Sequence, residues 1–164
     1  MTAPAGLLSE PLTTVRTMVA ASAAFQAWAG AADATTAAAA VYLVTSPRHP
    51  RPSFALVDFG GLTRERVAVI NARRFQQRDG STMLLYLRAD AANADNDDEL
   101  LSFCNAVGAI WADLETAAGS YAQRTLAISS IDLLIAPTRI VPEKRERAGD
   151  YLEAALSLGY TRQP

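Results

Sequence analysis

The stretch 150-DYLEAALSLGY-160 decides the fold, because its composition and its order favour different structures. Its leucine, alanine and glutamate content favours a helix, where these side chains lose little rotamer freedom. Its order favours a strand, since apolar residues recur with the period of a sheet that has one covered face: Leu152, Ala154, Leu156, Leu158 and Tyr160. Gly159 also suits a strand edge or bulge better than a helix interior. We therefore predict a strand that pairs antiparallel with the apolar run before it.

That preceding run and three others are the remaining strand candidates. They are rich in β-branched and aliphatic residues and comprise "SFALVDF" (53–59), "RVAVI" (66–70), "STMLLYLRA" (81–89) and "LAISSIDLLIAP" (126–137). Gly60-Gly61 should end the first run and help turn it into the second. Asp79-Gly80 is a tight-turn signal before the third, and Pro137 should close the fourth.

Helical periodicity marks three further segments. Ser9 is a candidate cap for a first helix that runs to about Trp28 and is ended by Gly30. Asp33 offers a cap for a second helix over 35–43. Asp95 or Asn96 should cap a long third helix, which Gly119 would stop and whose buried face combines Leu100, Phe103, Cys104, Val107, Ile110, Trp111 and Leu114. The sequence thus predicts an α+β fold, in which N-terminal helices and one long central helix pack on one face of a mostly antiparallel sheet.

Length and composition predict one globular domain over residues 1–164, with residues 1–8 as a flexible arm. The net charge of −2 removes the broad attraction to phosphate, so we do not expect direct nucleic-acid binding. No run of 18 apolar residues exists, and we expect no membrane association. The short apolar segment 17–27 lacks the basic leader of an export signal, which predicts a product made in the cytoplasm. Cys104, the only cysteine, suits a buried packing position.

A search for chemistry yields no catalytic, cofactor-binding or metal-binding residues. His49 is the only histidine, and Arg48 and Pro50 flank it where a general base would need a carboxylate to orient it. The acidic run "NADNDDE" (93–99) has Asp98 where a calcium loop needs glycine and Cys104 where it needs glutamate. Helix capping explains these acids better. We therefore predict a protein that is not an enzyme and needs no cofactor.

The overall layout resembles a family of phage neck proteins. The segments that carry the resemblance are "FQAWAG" (25–30), "AAVYLV" (39–44), "RPSFALVDF" (51–59), "STMLLYLRAD" (81–90), "DELLSFCNAVGAIWADLE" (98–115), "LAISSIDLLIAPTR" (126–139) and "GDYLEAALSLGY" (149–160). Together they cover most of residues 9–160. In this order they resemble the tail terminator, or tail completion, proteins of long-tailed bacteriophages and related prophages.

The resemblance implies an α+β protein without catalytic activity. Such proteins form a ring, usually of six subunits, at the head-proximal end of the tail tube, where they stop tube growth and join the tail to the head connector. It implies a virion protein of the tail-neck region, assembled in the host cytoplasm. Its partners would be further copies of itself, the tail tube protein and the connector or stopper protein. The alternatives are another head-tail connector, neck or tail-assembly protein, or a small ligand-binding domain or enzyme.

A ring of identical subunits needs head-to-tail contacts, so each subunit must offer two different patches. Charged segments supply register between such patches more than they supply affinity. The segments "SPRHPRP" (46–52), "RRFQQRDG" (73–80) and "TRIVPEKRERAG" (138–149) are the candidates. Their candidate interface residues are Arg48, His49, Arg51, Arg73, Arg74, Arg78, Lys144, Arg145 and Arg147.

Overall fold

A computed structural model of the chain describes residues 9–43, 52–68, 75–91, 97–121, 126–141 and 149–162. The elements follow the order α1 (Ser9–Ala21), α2 (Ala23–Trp28), α3 (Ala34–Ala38), β1 (Val41–Tyr42), β2 (Ser53–Ala68), β3 (Phe75–Asp90), α4 (Asp97–Tyr121), β4 (Leu126–Ile140) and β5 (Tyr151–Arg162). In these residues five strands form one sheet in the order β1-β2-β3-β5-β4, and only the β1–β2 pair is parallel. The predicted α+β class with a mostly antiparallel sheet is confirmed.

The stretch 150–160, whose composition favours a helix and whose order favours a strand, forms strand β5, as predicted. It pairs antiparallel with β3 on one side and with β4 on the other, so both rows of its backbone groups have strand partners. Its alternate residues Leu152, Ala154, Leu156, Leu158 and Tyr160 are at most 3% exposed. Local helix propensity is a difference of a few tenths of a kcal/mol per residue, which burial and two hydrogen-bonded ladders easily outweigh.

The helices cover one face of this sheet. The buried side of α4 presents Phe103, Val107, Ile110 and Leu114 at helical spacing, and these side chains join one hydrophobic cluster with the apolar residues of β3, β4 and β5. Helix α1 adds Val15, Met18 and Val19 to the same cluster. Each fully buried side chain of this size contributes about 1.5–3 kcal/mol. Two details differ from the prediction: Cys104 is only half-buried, and α4 continues through Gly119 to Tyr121.

The sequence predicted one continuous first helix to Trp28, but in the structure this helix breaks at Ser22. Ser22 has an extended backbone, and its hydroxyl accepts a hydrogen bond from the backbone N–H of Phe25, which caps α2. The same hydroxyl donates to Asp113 of α4 at 2.8 Å, and the Asp113 carboxylate also accepts from the backbone N–H of Ala24 at 3.0 Å. Ser22 therefore ends the helical pattern of α1, caps α2 and connects both to α4.

The second helix is shorter than predicted. Asp33 caps it as expected, accepting from the backbone N–H of Thr36 at 2.7 Å, but α3 ends at Ala38. The chain then enters β1, where the carbonyl of Ala40 accepts from the backbone N–H of Ala55 and Val41 lies beside β2. Residues 41–42, which were predicted to form the last turn of this helix, instead pair with β2 at the edge of the sheet.

Two predicted turns are wrong, because both lie inside long strands. Gly60-Gly61 sits within β2 at an irregularity of its pairing with β3, where a Cβ on Gly60 would lie 3.1 Å from the carbonyl of Thr82. The glycine thus permits a close approach of the two backbones. Asp79-Gly80 lies within β3, whose neighbours at these positions are β2 and β5. The connection between β2 and β3, and the proposed caps Asp95 and Asn96, lie outside the described residues, as does the 1–8 arm.

Pro137 does not close the fourth strand, since β4 runs on to Ile140. The proline falls in the irregularity between Ile135 and Thr138, where no residue of β5 is opposite it. A missing backbone N–H is tolerated at such a position on an edge strand.

A substitution at Gly159 tests how closely β4 packs against β5. A Cβ at this position would lie 2.6 Å from Ser130 Oγ and 3.1 Å from Ser129 Oγ, closer than non-bonded atoms allow. We expect Gly159→Ala to lower the free energy of unfolding by about 1 kcal/mol, and Ser130→Ala in the same chain to recover most of it. Denaturant unfolding measures both. Gly108→Ala is the control, because it meets open space in a helix interior and should stabilise by about 0.5–1 kcal/mol. Equal stability of wild type and Gly159→Ala would contradict the packing.

The Asp113 junction predicts a pH-dependent contribution to stability. Hydrogen bonds from the backbone N–H of Ala24 and from the Ser22 hydroxyl hold the pKa of Asp113 below its ordinary value. Because the folded-state pKa is lowered, the carboxylate stabilises the protein above the unfolded value of about 3.9, and this is lost as pH falls through the folded value. Asp113→Asn should cost about 1 kcal/mol at pH 7, and the difference from wild type should shrink at acidic pH. Glu115→Gln, an exposed change on the same helix, is the control, and a difference that grows towards acid would contradict the sign.

Candidate functional site: the exposed edge of the sheet

Most of the predicted interface residues lie outside the described part of the chain. These are Arg48, His49, Arg51, Arg73, Arg74, Lys144, Arg145 and Arg147. Arg78 lies in β3, where its backbone pairs opposite Glu65. Its assignment to an interface therefore stays a prediction, as do those of the other eight.

The part of the hairpin that carries Arg78 extends beyond the rest of the sheet. Strands β2 and β3 pair as far as Ala68 opposite Phe75, whereas β5 reaches only Asp79 of β3. The first four residues of β3, from Phe75 to Arg78, therefore pair with β2 alone among the described strands and project about 13 Å past β5. The β2 residues opposite them run from Glu65 to Ala68, while Arg64 pairs opposite Asp79, the last position that β5 reaches. The backbone thus places Arg66 and Arg78, which are separated in sequence, together with Glu65 in the projecting part.

An unusual apolar surface lies on β4, at the other side of the sheet. Among the described strands β4 pairs with β5 alone, so its outer row of backbone groups is free of a strand partner there. Leu133 is 39% exposed and Leu134 is 54% exposed. Ser129, Ser130, Asp132 and Ala136 around them are exposed as well. We call residues 129–136 the β4 edge, because hydrogen-bonding groups and large apolar side chains are open to solvent together here.

The β4 edge was missed on the sequence, where the whole run 126–137 was expected to have a covered apolar face. A signal was present in Leu133-Leu134-Ile135, since three successive apolar residues of a strand cannot all face one core. The structure resolves the conflict with irregular pairing to β5 between Ile128 and Ser130 and again between Leu133 and Thr138. On the helix side, the indole N–H of Trp111 donates to the carbonyl of Ile131 and fixes α4 against the strand.

The sheet face away from the helices has a buried polar pair that the sequence analysis also missed. Arg88 of β3 donates from Nε to Glu153 of β5 at 2.5 Å, and both side chains are largely shielded from solvent. The Arg88 guanidinium lies 5.7 Å from the ring centroid of Tyr86 and 5.4 Å from that of Tyr151, within cation–π range. Pairing with a desolvated partner makes this contact specific for the β3–β5 register, because a one-residue slip would bury each charge alone.

A cleft of about 440 Å³ opens at the start of α4. Its walls include Trp28, Phe103 and Leu152, and three acids contribute to its lining: Asp90, Asp98 and Glu99. The cleft lies at the base of the β2–β3 hairpin, beside Ser53 and Ala89, and so at the opposite end from the arginine-bearing extension.

Within the described ranges, no three histidine, cysteine or acidic residues are grouped so that they could hold a metal ion. No described helix is long and apolar enough to cross a membrane. The sequence matches no known protein-family model, and a search of curated proteins finds no similar sequence.

Because Leu134 lies on the β4 edge, we expect its replacement by lysine to increase solubility more than the same replacement of the similarly exposed Leu101 of α4. Leu134→Lys should raise the precipitant concentration needed to bring the protein out of solution, because a lysine on an edge strand blocks pairing between chains. Leu101→Lys adds the same charge at the surface of α4, where Leu101 is 59% exposed, and should have a smaller effect. Neither change should alter the free energy of unfolding by more than about 0.5 kcal/mol. Equal solubility gains would mean that the edge is no more adhesive than the helix surface.

Proposed function

We propose that the protein is a non-enzymatic structural component of a phage tail, a tail terminator that forms a ring at the head-proximal end of the tail tube. In this role it ends tube growth and provides the surface to which the head connector or stopper protein binds. Its contacts are with further copies of itself, with the tube protein and with the connector.

The β4 edge is the observation that carries this proposal. An edge strand with exposed leucines is a liability for a chain that remains alone, and natural sheets normally blunt or cover such edges. A subunit of a closed assembly has a different requirement, since each of its contact surfaces meets a neighbour. A partly apolar, unpaired strand edge is therefore expected of a protein whose work is assembly.

The order of elements supports the tail terminator within this class. N-terminal helices, a long hairpin, a long amphipathic helix and two C-terminal strands follow one another as in the layout that the sequence resembles. The choice of the terminator over other neck proteins rests on that resemblance. The predicted ring of six subunits rests on it as well.

We expect that removing the protein from the phage or prophage that encodes it will cause a defect in tail length and in head joining. Particles made without it should have tails of abnormal length that fail to join heads, because nothing would stop the tube or present the joining surface. Electron microscopy measures tail length, and mass spectrometry of purified wild-type particles should detect the chain. Normal tails that join heads normally would rule out termination, and absence of the chain from wild-type particles would overturn the structural role itself.

A further inference from the structure

The two edges of the sheet are formed by different strands. One is the outer side of β4, and the other is the outer side of β2 beyond the short strand β1. We infer that the β4 edge of one copy pairs with the free part of β2 in the next copy, so that the sheets of neighbouring subunits join. The inference rests on the proposed ring and specifies which surfaces build it.

Strand direction supports this junction. Strands β2, β3, β5 and β4 are each antiparallel to the next, so β4 and β2 of one copy run in opposite directions. Rotation about an axis roughly along the strands preserves those directions. It places β4 of one copy antiparallel to β2 of the next, and the alternation continues across the junction without a break. A sheet with an odd number of alternating strands would give a parallel junction instead.

The extent of the two edges also matches. Strand β1 pairs with β2 only at Ala55 and Leu56, which leaves twelve residues of β2, from Val57 to Ala68, without a described partner on that side. Strand β4 has fifteen residues. The distal part of this β2 segment projects beyond β5, so β3 is its only strand partner among the described residues.

Irregularities along the two edges favour a second copy in a ring over a strand from an unrelated chain. Charge does not decide the occupant, because the free β2 segment contains two arginines and two acids in sequence, namely Asp58, Arg64, Glu65 and Arg66, while the β4 edge contains the exposed Asp132. Irregular pairing occurs in both strands, at Phe59/Gly61 in β2 and at three places in β4. Bulges of this kind concentrate where sheets bend at their edges. A sheet that continues around a closed ring must bend in this way.

Paired cysteines test the junction. In a Cys104→Ser background, one tagged chain carries Leu134→Cys and a second carries a single cysteine in β2, placed in turn at Asp58, Leu62, Arg64 and Arg66. The chains are produced together in cells that assemble phage lacking the native gene, and purified particles are oxidised and analysed on a denaturing gel. We expect a mixed dimer with at least one β2 position, since directly opposed residues of paired strands bring their Cβ atoms within about 5.5 Å. Leu101→Cys is the matched control and should give none.

The outcomes separate this inference from the proposed function. A dimer of Leu134→Cys with itself would show that β4 pairs with β4 around a two-fold axis, which overturns the inference. Particles that contain the protein but yield no mixed dimer at any β2 position would overturn it too, while the terminator role stands. If the chain is absent from particles, the same oxidation is done on the concentrated purified protein. A mixed dimer there would support the junction although the location is wrong, and its absence would overturn both.

Discussion

The pairing of β5 with both β3 and β4 is the interaction on which the rest of the structure depends. The last strand of the chain occupies a central position in the sheet, so the hairpin of β2 and β3 is joined to β4 only through it. One face of β5 fills the core under α4, and the other holds Glu153 against Arg88. A one-residue slip of β5 would turn its buried leucines away from the core, so apolar burial fixes which residues of β5 face α4. The Arg88–Glu153 pair adds a contact that forms only in the observed register.

The central position of β5 also determines which strands are left at the edges. With β3 and β5 enclosed, β2 and β4 are the long strands that can meet another chain. They run in opposite directions because three antiparallel pairings separate them. A head-to-tail assembly requires two unlike surfaces on each subunit, and this strand order supplies them without any added element. The capped junction of α1, α2 and α4 ties together the helices that cover one face of the sheet.

Sequence periodicity was sufficient for the elements whose burial alternates regularly. Strand β5, the core of β3 and the buried side of α4 were all predicted, because one apolar stripe meets one core. Local turn chemistry failed at Gly60-Gly61 and Asp79-Gly80, where pairing with neighbouring strands overrides the preference of the dipeptide. Ser22 was missed as a cap because it also fits the helical stripe of the sequence, and the second partner of its hydroxyl, Asp113, is 91 residues away. The β4 edge was missed for a related reason: exposure depends on which strand ends up outermost, and that is a property of the topology.

We infer that this protein acts through its sheet edges in an assembly. Hydrogen exchange followed by mass spectrometry tests it directly, comparing peptides of 126–140 in the isolated protein and in purified particles. Amides of β4 should exchange much more slowly in particles, because their outer groups gain a strand partner there, while the solvent-facing side of α4 should change little. Equal exchange of β4 in the two states would contradict assembly through this edge, since the edge would then be as open in the particle as in the isolated chain.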